Sequence, residues 1–256
     1  MASVTVGIAG WSLARADLHL FPAGDSGSQL ARYAAVFNAV EINSSFYRPH
    51  KADTYARWAD SVPAGFRFAV KLPRSITHEK RLQDIDAELD RFVAEAGTLG
   101  EKLGWVLVQT PPSLRLDPAA ARALFAGLRT RLGSVAAHAL LACEARHGTW
   151  FGAAATELLC DLDVIRVVAD PPAGEPGPFV PTSAHAYVRL HGSPLIYRSI
   201  YEPERLAQVA AWLRCQPGSA LVIFDNTMSG TQLRQALQLG RMLTSSSTDR
   251  RPDSHM

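Results

Sequence analysis

Short runs of apolar and β-branched residues recur eight times along the chain, and this recurrence constrains the fold more than any other feature. Runs of this length between turn-forming residues are typical of β-strands. Because the runs are apolar throughout rather than alternating, they indicate strands buried on both faces, as in a parallel sheet. The predicted strands are Val4–Ala9, Ala39–Asn43, Arg67–Leu72, Trp105–Gln109, Ala139–Glu144, Val164–Asp170, Ala186–His191 and Ala220–Asn226.

Helical patterns separate most of these strands. We expect Asp84, Asp117 and Ser229 to cap helix starts, with Pro118 in a first turn. The segment PPAGEPGPFVPTS, between the sixth and seventh strands, is too rich in proline and glycine for a regular helix and predicts a loop. The predicted helices are Ser28–Phe37, Asp53–Ser61, Asp84–Leu99, Pro118–Leu132, Thr149–Cys160, Pro203–Arg214 and Ser229–Leu243.

Residues able to bind or catalyse follow almost every predicted strand. In a closed barrel these strand ends meet at one rim, whereas an open sheet places its function near one switch point. Polar loops follow strands in every fold and explain about half of the set, but charges inside strand patterns, at Glu41, Lys71 and Arg189, favour the barrel. The rim residues are Trp11, Glu41, Asn43, Lys71, Gln109, Glu144, Arg146, Asp170, His191, Asp225 and Asn226.

We therefore predict an α/β fold, a single (β/α)8 TIM-like barrel over residues 1–243, irregular around the sixth β/α unit, with a disordered tail over 244–256. A hydrophobic fraction of 47% supplies the core, and a net charge of +2 argues against a nucleic-acid partner. Cys143, Cys160 and Cys215 lack CxxC spacing and fit reduced thiols. With neither a secretion signal nor a long apolar stretch, a cytoplasmic protein without membrane segments is expected.

Eight short motifs carry a family resemblance. They are GIAGW at 7–11, EINSSFY at 41–47, FAVKLP at 68–73, TH at 77–78, QTPPS at 109–113, EAR at 144–146, RLHG at 189–192 and FDNT at 224–227. In this order the chain resembles the DUF72 family, also called YecE-like proteins, from Gly7 to about Leu243. The resemblance implies a TIM-barrel-like fold and leaves the reaction open. The chain departs from the family pattern at Ala9 and Asp225, and in LHLFPAGDS, which lacks the usual Trp and Tyr-Pro signature.

The rim carries both cations and carboxylates, which allows two interpretations. Lys71, Arg146, Arg189 and His191 together would bind a phosphate or carboxylate. Alternatively, these bases neutralise a set of acids in a buried ion-pair network, and both interpretations can hold at once. The acids concerned are Glu41, Glu144, Asp170 and Asp225.

Glu41 and Glu144 are the candidates for proton transfer, because a carboxyl group in a partly desolvated rim can have a raised pKa. His191 is the candidate for the opposite partner, and its alternative role is a structural imidazole. The other candidate ligand-binding residues are Trp11, Asn43, Tyr47, Lys71, His78, Gln109, Arg146, Asp170, Arg189, Tyr197, Tyr201, Asp225 and Asn226. The aromatic members would form a wall against a sugar ring or base, or simply cap the barrel. The segment Gly192–Tyr201 is long enough to act as a lid that closes over a ligand.

Three functions are compatible with this rim. The first is an enzyme performing acid-base chemistry, as a hydrolase, isomerase or lyase, on a small anionic sugar-like or nucleotide-like molecule. The second is a non-catalytic binding or sensor protein. The third is a metal-dependent nuclease or sugar isomerase, since acids and His191 are metal-ligand types, although no ligand spacing supports it and the nearby bases oppose a cation. No phosphate-binding glycine loop is present and no cofactor is predicted.

Overall fold

A computed structural model describes residues 3–22, 28–174 and 177–245. The strands are β1 Val4–Ile8, β2 Ala39–Ile42, β3 Arg67–Lys71, β4 Leu103–Gln109, β5 Leu140–Glu144, β6 Val164–Arg166, β7 Val168–Asp170, β8 Ala186–Leu190 and β9 Ala220–Phe224. The α-helices are α1 Gln29–Ala34, α2 Ser44–Tyr47, α3 Ala52–Asp60, α4 Asp86–Ala96, α5 Pro118–Leu132, α6 Ala153–Asp161, α7 Pro203–Arg214 and α8 Gln232–Ser245. Shorter helical turns are Arg15–Leu20, Ser75–Glu79, Gly97–Lys102, Gly148–Phe151 and Thr227–Ser229.

The strands form two parallel arcs that meet at both edges. One arc has the order β2-β3-β4-β5-β6 and the other the order β1-β9-β8-β7. At the first junction Ala9 bridges Glu41, and the Gly10 amide donates to the Glu41 carbonyl at 2.9 Å. At the second, the predicted sixth strand runs from one arc into the other and breaks at Val167, whose amide donates to Cys143. The predicted (β/α)8 TIM-like barrel is thus confirmed, with its sixth strand bent.

Two apolar cores lie on the two sides of the strands. The inner core consists of strand-region residues from both arcs, including Ala69, Leu107 and Ile223, and so fills the barrel. The outer core packs the strands against the helices. Gly7 lies where β1 approaches β2, and a side chain there would collide with the Ala39 carbonyl oxygen. A glycine at this position therefore lets the two arcs meet.

Helix starts agree with the sequence predictions in part. Asp117 caps α5 by accepting from the Ala119 and Ala120 amides at 3.0 and 3.1 Å, as predicted. Asp84 caps nothing, because it has a φ of 49° in a turn and α4 begins only at Asp86. The prediction for Ser229 is also wrong, since it ends a short 3-10 turn and Gly230, with a φ of 65°, precedes α8.

The unit after the sixth strand is irregular, as predicted. Residues 171–174 and 177–185, which the structure describes in this connection, contain no helix. Thr182 anchors the loop by accepting from the Arg166 amide at 2.9 Å and donating to the Val164 carbonyl at 2.6 Å. At the C-terminus α8 continues past the predicted domain end at 243 to Ser245, and the rest of the predicted tail lies outside the described residues.

All three cysteines are free thiols, Cys143 buried and the other two exposed. Among the described helices, none combines the length and apolarity that crossing a bilayer requires.

Candidate functional site

A cluster of charged side chains lies inside the barrel around Arg189. Arg189, on β8, has only 1% of its surface exposed. Its guanidinium donates to both carboxylate oxygens of Glu41, at 2.7 and 3.0 Å, and to Asp225 at 2.8 Å, and it also contacts Glu144. Glu41, Glu144 and Asp225 come from β2, from β5 and from the end of β9. The barrel therefore brings together residues that are far apart in the sequence.

Two further side chains complete this group, which we call the Arg189 cluster. The Tyr187 hydroxyl donates to Glu41 at 2.5 Å. His191 lies between two carboxylates, with Nδ1 3.0 Å from Asp225 and Nε2 3.3 Å from Glu144. The cluster consists of Glu41, Glu144, Tyr187, Arg189, His191 and Asp225. Arg146 flanks it and binds Glu144 at 2.8 Å.

The electrostatics of the cluster correct one prediction. Burial raises the pKa of Glu144, but Arg189 and the hydrogen bond from His191 outweigh it and hold that pKa well below its ordinary value. The expected raised pKa at Glu144 is therefore wrong, because a buried guanidinium is in contact with it. Burial lowers the pKa of His191, yet its hydrogen bonds to Asp225 and Glu144 prevail and raise it above 6.5. These two carboxylates thus favour the imidazolium form.

A cavity of about 860 Å³ opens at the carboxyl ends of β1, β2, β3 and β9, and we call it the rim cavity. Its charged floor includes Lys71 and Asp225, which connect it to the Arg189 cluster. Aromatic and polar side chains form its walls. These are Trp11, Tyr47 and Tyr197, and Ser12, Asn43, Ser44 and Gln232.

Several polar atoms of the rim cavity lack protein partners. Among the described residues, the Lys71 amine has no hydrogen bond or ion pair, and it lies 4.1 Å from the centre of the Phe46 ring. The side-chain oxygens of Asn43 and Gln232 are buried without a hydrogen bond. Burial and then repulsion from Arg189 lower the pKa of Lys71 to about 8, against the attraction of the nearby carboxylates.

The structure places four predicted binding residues, Trp11, Asn43, Tyr47 and Tyr197, on the cavity wall. His78 packs against Phe46 beside Lys71, and burial and that lysine lower its pKa. Gln109 is buried at the end of β4, in register with Glu144, outside the cavity lining.

Three other candidates, Asp170, Tyr201 and Asn226, are not part of the cavity lining and make structural contacts. Asp170 was predicted to join the buried network, but it binds Arg205 at 2.7 Å. The Tyr201 hydroxyl accepts from the Gly192 amide and donates to the Asp170 carbonyl, each at 2.8 Å.

Asn226, the third of these candidates, donates a hydrogen bond to Gln235 at 2.7 Å.

Sequence reasoning missed Tyr187, although its position two residues before Arg189 puts both on one face of β8. It also missed Gln232, which no motif marks.

A metal site does not emerge from the described residues, which contain no group of three or more His, Cys, Asp or Glu side chains arranged to hold an ion. The Arg189 guanidinium lies between Glu41, Glu144 and Asp225, which had been candidates for metal ligands.

Comparison with known proteins places the chain in a family. The family model described as "Protein of unknown function DUF72" matches residues 5–255. The UPF0759 protein YecE of Escherichia coli (strain K12) is 31% identical over 84 residues, which is 33% of this chain and 31% of that protein. The alignment therefore spans about a third of the length of this relative.

Solved structures share the fold over nearly the full length. A DUF72 family protein from Thermotoga maritima MSB8 is 25% identical with a TM-score of 0.75, covering 94% of this chain and 99% of that one. A DUF72 family protein from Enterococcus faecalis V583 is 19% identical with a TM-score of 0.76, covering 99% of this chain and 100% of that one.

Proposed function

The chain belongs to the DUF72 family of proteins of unknown function, and from the geometry of its rim we propose that it is an enzyme performing acid-base chemistry on a small anionic sugar-like or nucleotide-like molecule. One observation carries the proposal. Lys71 and Asp225 line an open cavity, and the Lys71 amine has no hydrogen bond or ion pair among the described residues, whereas the cluster below is closely paired. A buried amine is costly to leave unpaired, so a ligand is its natural partner.

The charge balance favours an anion. Lys71, Arg146 and Arg189 offset Glu41, Glu144 and Asp225, and a protonated His191 then leaves an excess positive charge. In a partly desolvated site such an excess attracts a phosphate or carboxylate more strongly than it would in water. The predicted partner, a small anionic molecule, is retained, and the proposal requires no cofactor.

Lys71 suits proton transfer because its pKa of about 8 lies close to neutrality. Asp225 is the second charged group at the floor, and Arg189 and His191 hold one of its oxygens in place. Its other oxygen, Oδ1, has no hydrogen-bond partner within the described part of the chain. In this proposal Glu41 and Glu144 are positioning residues that hold Arg189, and Lys71 transfers protons. Burial raises the pKa of Asp225, but Arg189 and the hydrogen bond from His191 outweigh it and lower that pKa, so Asp225 acts as an ionised carboxylate that accepts a proton transiently.

The size and lining of the rim cavity fit a small polar ligand. Its volume of about 860 Å³ lies within the range of roughly 300–1,000 Å³ that small-molecule sites occupy. Asn43 and Gln232 add amide groups to the polar part of the lining, and Trp11, Tyr47 and Tyr197 offer ring faces to a sugar or base.

The test combines binding with proton exchange. We would screen sugar phosphates, nucleotides and carboxylic acids by thermal shift, then incubate each stabilising compound with the protein in D₂O and follow its C–H signals by NMR. Exchange or conversion that is lost in Lys71→Met and Asp225→Asn but kept in Lys51→Met supports the proposal; Lys51 is an exposed lysine outside the cavity.

Other outcomes contradict the proposal in different ways. Saturable binding without exchange or conversion would favour the sensor alternative. Turnover that disappears with EDTA and returns with Mn²⁺ would favour the metal-dependent alternative. If none of the anions binds, the assignment of the rim cavity as an anion site is wrong.

A further inference from the structure

We propose that Lys71 is an amine nucleophile that forms a Schiff base with the carbonyl carbon of its ligand, so that the substrates are small anionic aldehydes or ketones. This inference rests on the proposed function, since it uses the same cavity, and it adds a covalent step and a narrower substrate class. A reactive lysine must be reachable by the ligand and free of other partners. The lysines of the chain differ in both respects.

The sequence contains only four lysines, and three of them are committed or remote. Lys80 forms an ion pair with Glu88 at 2.8 Å. Lys102 donates to backbone carbonyls, among them Val62 at 2.7 Å. Lys51 is exposed and lies outside the rim cavity. Lys71 alone lines the cavity.

The contacts of Lys71 differ from those of a structural counter-ion. Its side chain is 8% exposed and its amine faces the ring of Phe46 at 4.1 Å. No carboxylate lies within 4.0 Å of that amine among the residues that the structure describes. A counter-ion for the cluster would be expected to touch an acid, as Arg189 does. Lys71 instead lines the cavity.

The surrounding charges favour the neutral amine that nucleophilic attack requires. Arg189 faces Lys71 from β8 and disfavours its charge, together with burial, while Glu41, Glu144 and Asp225 partly compensate. His78 packs beside Phe46, and its pKa is lowered by burial and then by Lys71. With a pKa of about 8, Lys71 is about half neutral at pH 8, whereas about 0.4% of an ordinary lysine is neutral.

The chemical step balances without an external reagent. The lone pair of the Lys71 nitrogen attacks the carbonyl carbon, a C–N bond forms, and the π electrons of C=O move to oxygen. A proton passes from the nitrogen to that oxygen, for which the free Oδ1 of Asp225 is an available relay. The remaining N–H proton passes to the hydroxyl, which leaves as water while the nitrogen lone pair forms the C=N bond. Later hydrolysis returns the amine and a carbonyl product.

Two labelling experiments on the full-length protein test this assignment. In the first, dihydroxyacetone phosphate or pyruvate is added with sodium cyanoborohydride at pH 8, and peptide mass spectrometry locates the reduced adducts. Uncharged dihydroxyacetone is the matched control for the anion requirement. In the second, acetylacetone, which forms a stable enaminone with reactive amines, replaces the substrate probes and needs no reductant.

The expected result is labelling of Lys71 by acetylacetone at least about tenfold faster than Lys51 in the same molecule, because of its larger neutral fraction. An anionic probe should also be trapped at Lys71 more efficiently than dihydroxyacetone. Lys71→Arg should abolish this labelling, whereas Lys51→Arg should not. Labelling of Lys71 no faster than that of Lys51 by every probe would overturn the inference.

This failure can be told apart from failure of the proposed function. Saturable anion binding with proton exchange but without labelling of Lys71 would leave the acid-base proposal in place and remove the Schiff base. Absence of anion binding and of exchange would remove the proposed function, and acetylacetone labelling would still report on the amine itself.

Discussion

The Arg189 cluster and the wall of the rim cavity are adjacent, yet they differ in how their polar groups are paired. In the cluster Arg189 contacts three carboxylates, and His191 lies between two of them. On the cavity side the Lys71 amine faces the Phe46 ring, and neither this amine nor the oxygens of Asn43 and Gln232 have a hydrogen bond or ion pair among the described residues.

The contrast separates two uses of buried polarity. Paired charges hold one another at fixed positions, and breaking one pair leaves the remaining charges desolvated. Unpaired groups stabilise little, but they are oriented in advance for a ligand. Substitutions in the cluster should therefore affect folding first, and substitutions on the cavity side should affect binding first.

The largest expected effect is that of Arg189→Met. It leaves Glu41, Glu144 and Asp225 buried without their shared cation, so the free energy of unfolding should fall by about 3–5 kcal/mol, as when one partner of a buried ion pair is removed. Urea denaturation measures it. The control is Arg122→Met, whose ion pair with Asp161 is half exposed and should contribute at most about 1 kcal/mol. Equal effects of the two substitutions would refute the contrast.

Lys71→Met should give the opposite pattern. Anion affinity should fall by about tenfold or more, equivalent to about 1.4 kcal/mol, because the cation at the cavity floor is removed. The free energy of unfolding should fall by no more than about 2 kcal/mol, since among the described residues the amine has a cation-π contact with Phe46 to lose but no hydrogen bond or ion pair. Calorimetric titration and urea denaturation of the same preparation provide both numbers. A large loss of stability with unchanged affinity would make Lys71 a structural cation.

Asn43→Ala should produce a smaller change in binding. The loss of one neutral hydrogen bond to a ligand weakens affinity by about threefold to tenfold, or roughly 0.5–1.5 kcal/mol. Because the Asn43 oxygen has no hydrogen-bond partner in the part of the chain that the structure describes, stability should hardly change. Asn38→Ala, at an exposed asparagine outside the rim cavity, is the control for both measurements. Unaltered affinity would mean that the ligand does not reach this wall.

The smallest expected effect is a pH dependence carried by His191. Its pKa is raised above 6.5 in the folded protein, so its contribution to stability is fully present below pH 6.5 and is lost as pH rises through the folded value. The slope is at most about 1.4 kcal/mol per pH unit. Denaturation midpoints of the wild type and His191→Gln should therefore converge as pH rises. Parallel curves would show that His191 stays neutral.

The sequence allowed the strands and the rim to be predicted, because both depend on local pattern. Charges inside apolar runs, at Glu41 and Arg189, indicated an interior site, and the structure brings these two side chains together. The pKa of Glu144 could not be predicted, since its sign depends on contact with a guanidinium that is 45 residues away.

Asp170 shows a different limit of sequence reasoning. β7 pairs with β8 so that Asp170 lies beside Leu190. Leu190 packs in the outer core, whereas Arg189 points inward. Asp170 therefore faces α7 and Arg205. Ile165 and Val167 lie in the inner core and Val168 packs against the outer core, so strand alternation places Asp170 on the outer face. Its position at a strand end did not reveal which face it occupies.

Glu41 joins the two halves of the molecule through both its main chain and its side chain. Its carbonyl accepts from Gly10 where the arcs meet, and its carboxylate binds Arg189. Transient separation of β1 from β2 would thus disturb the charge distribution below the cavity. Conversely, a ligand that rigidifies the cluster should slow amide hydrogen exchange at Gly10, which makes that one amide a remote reporter of occupancy.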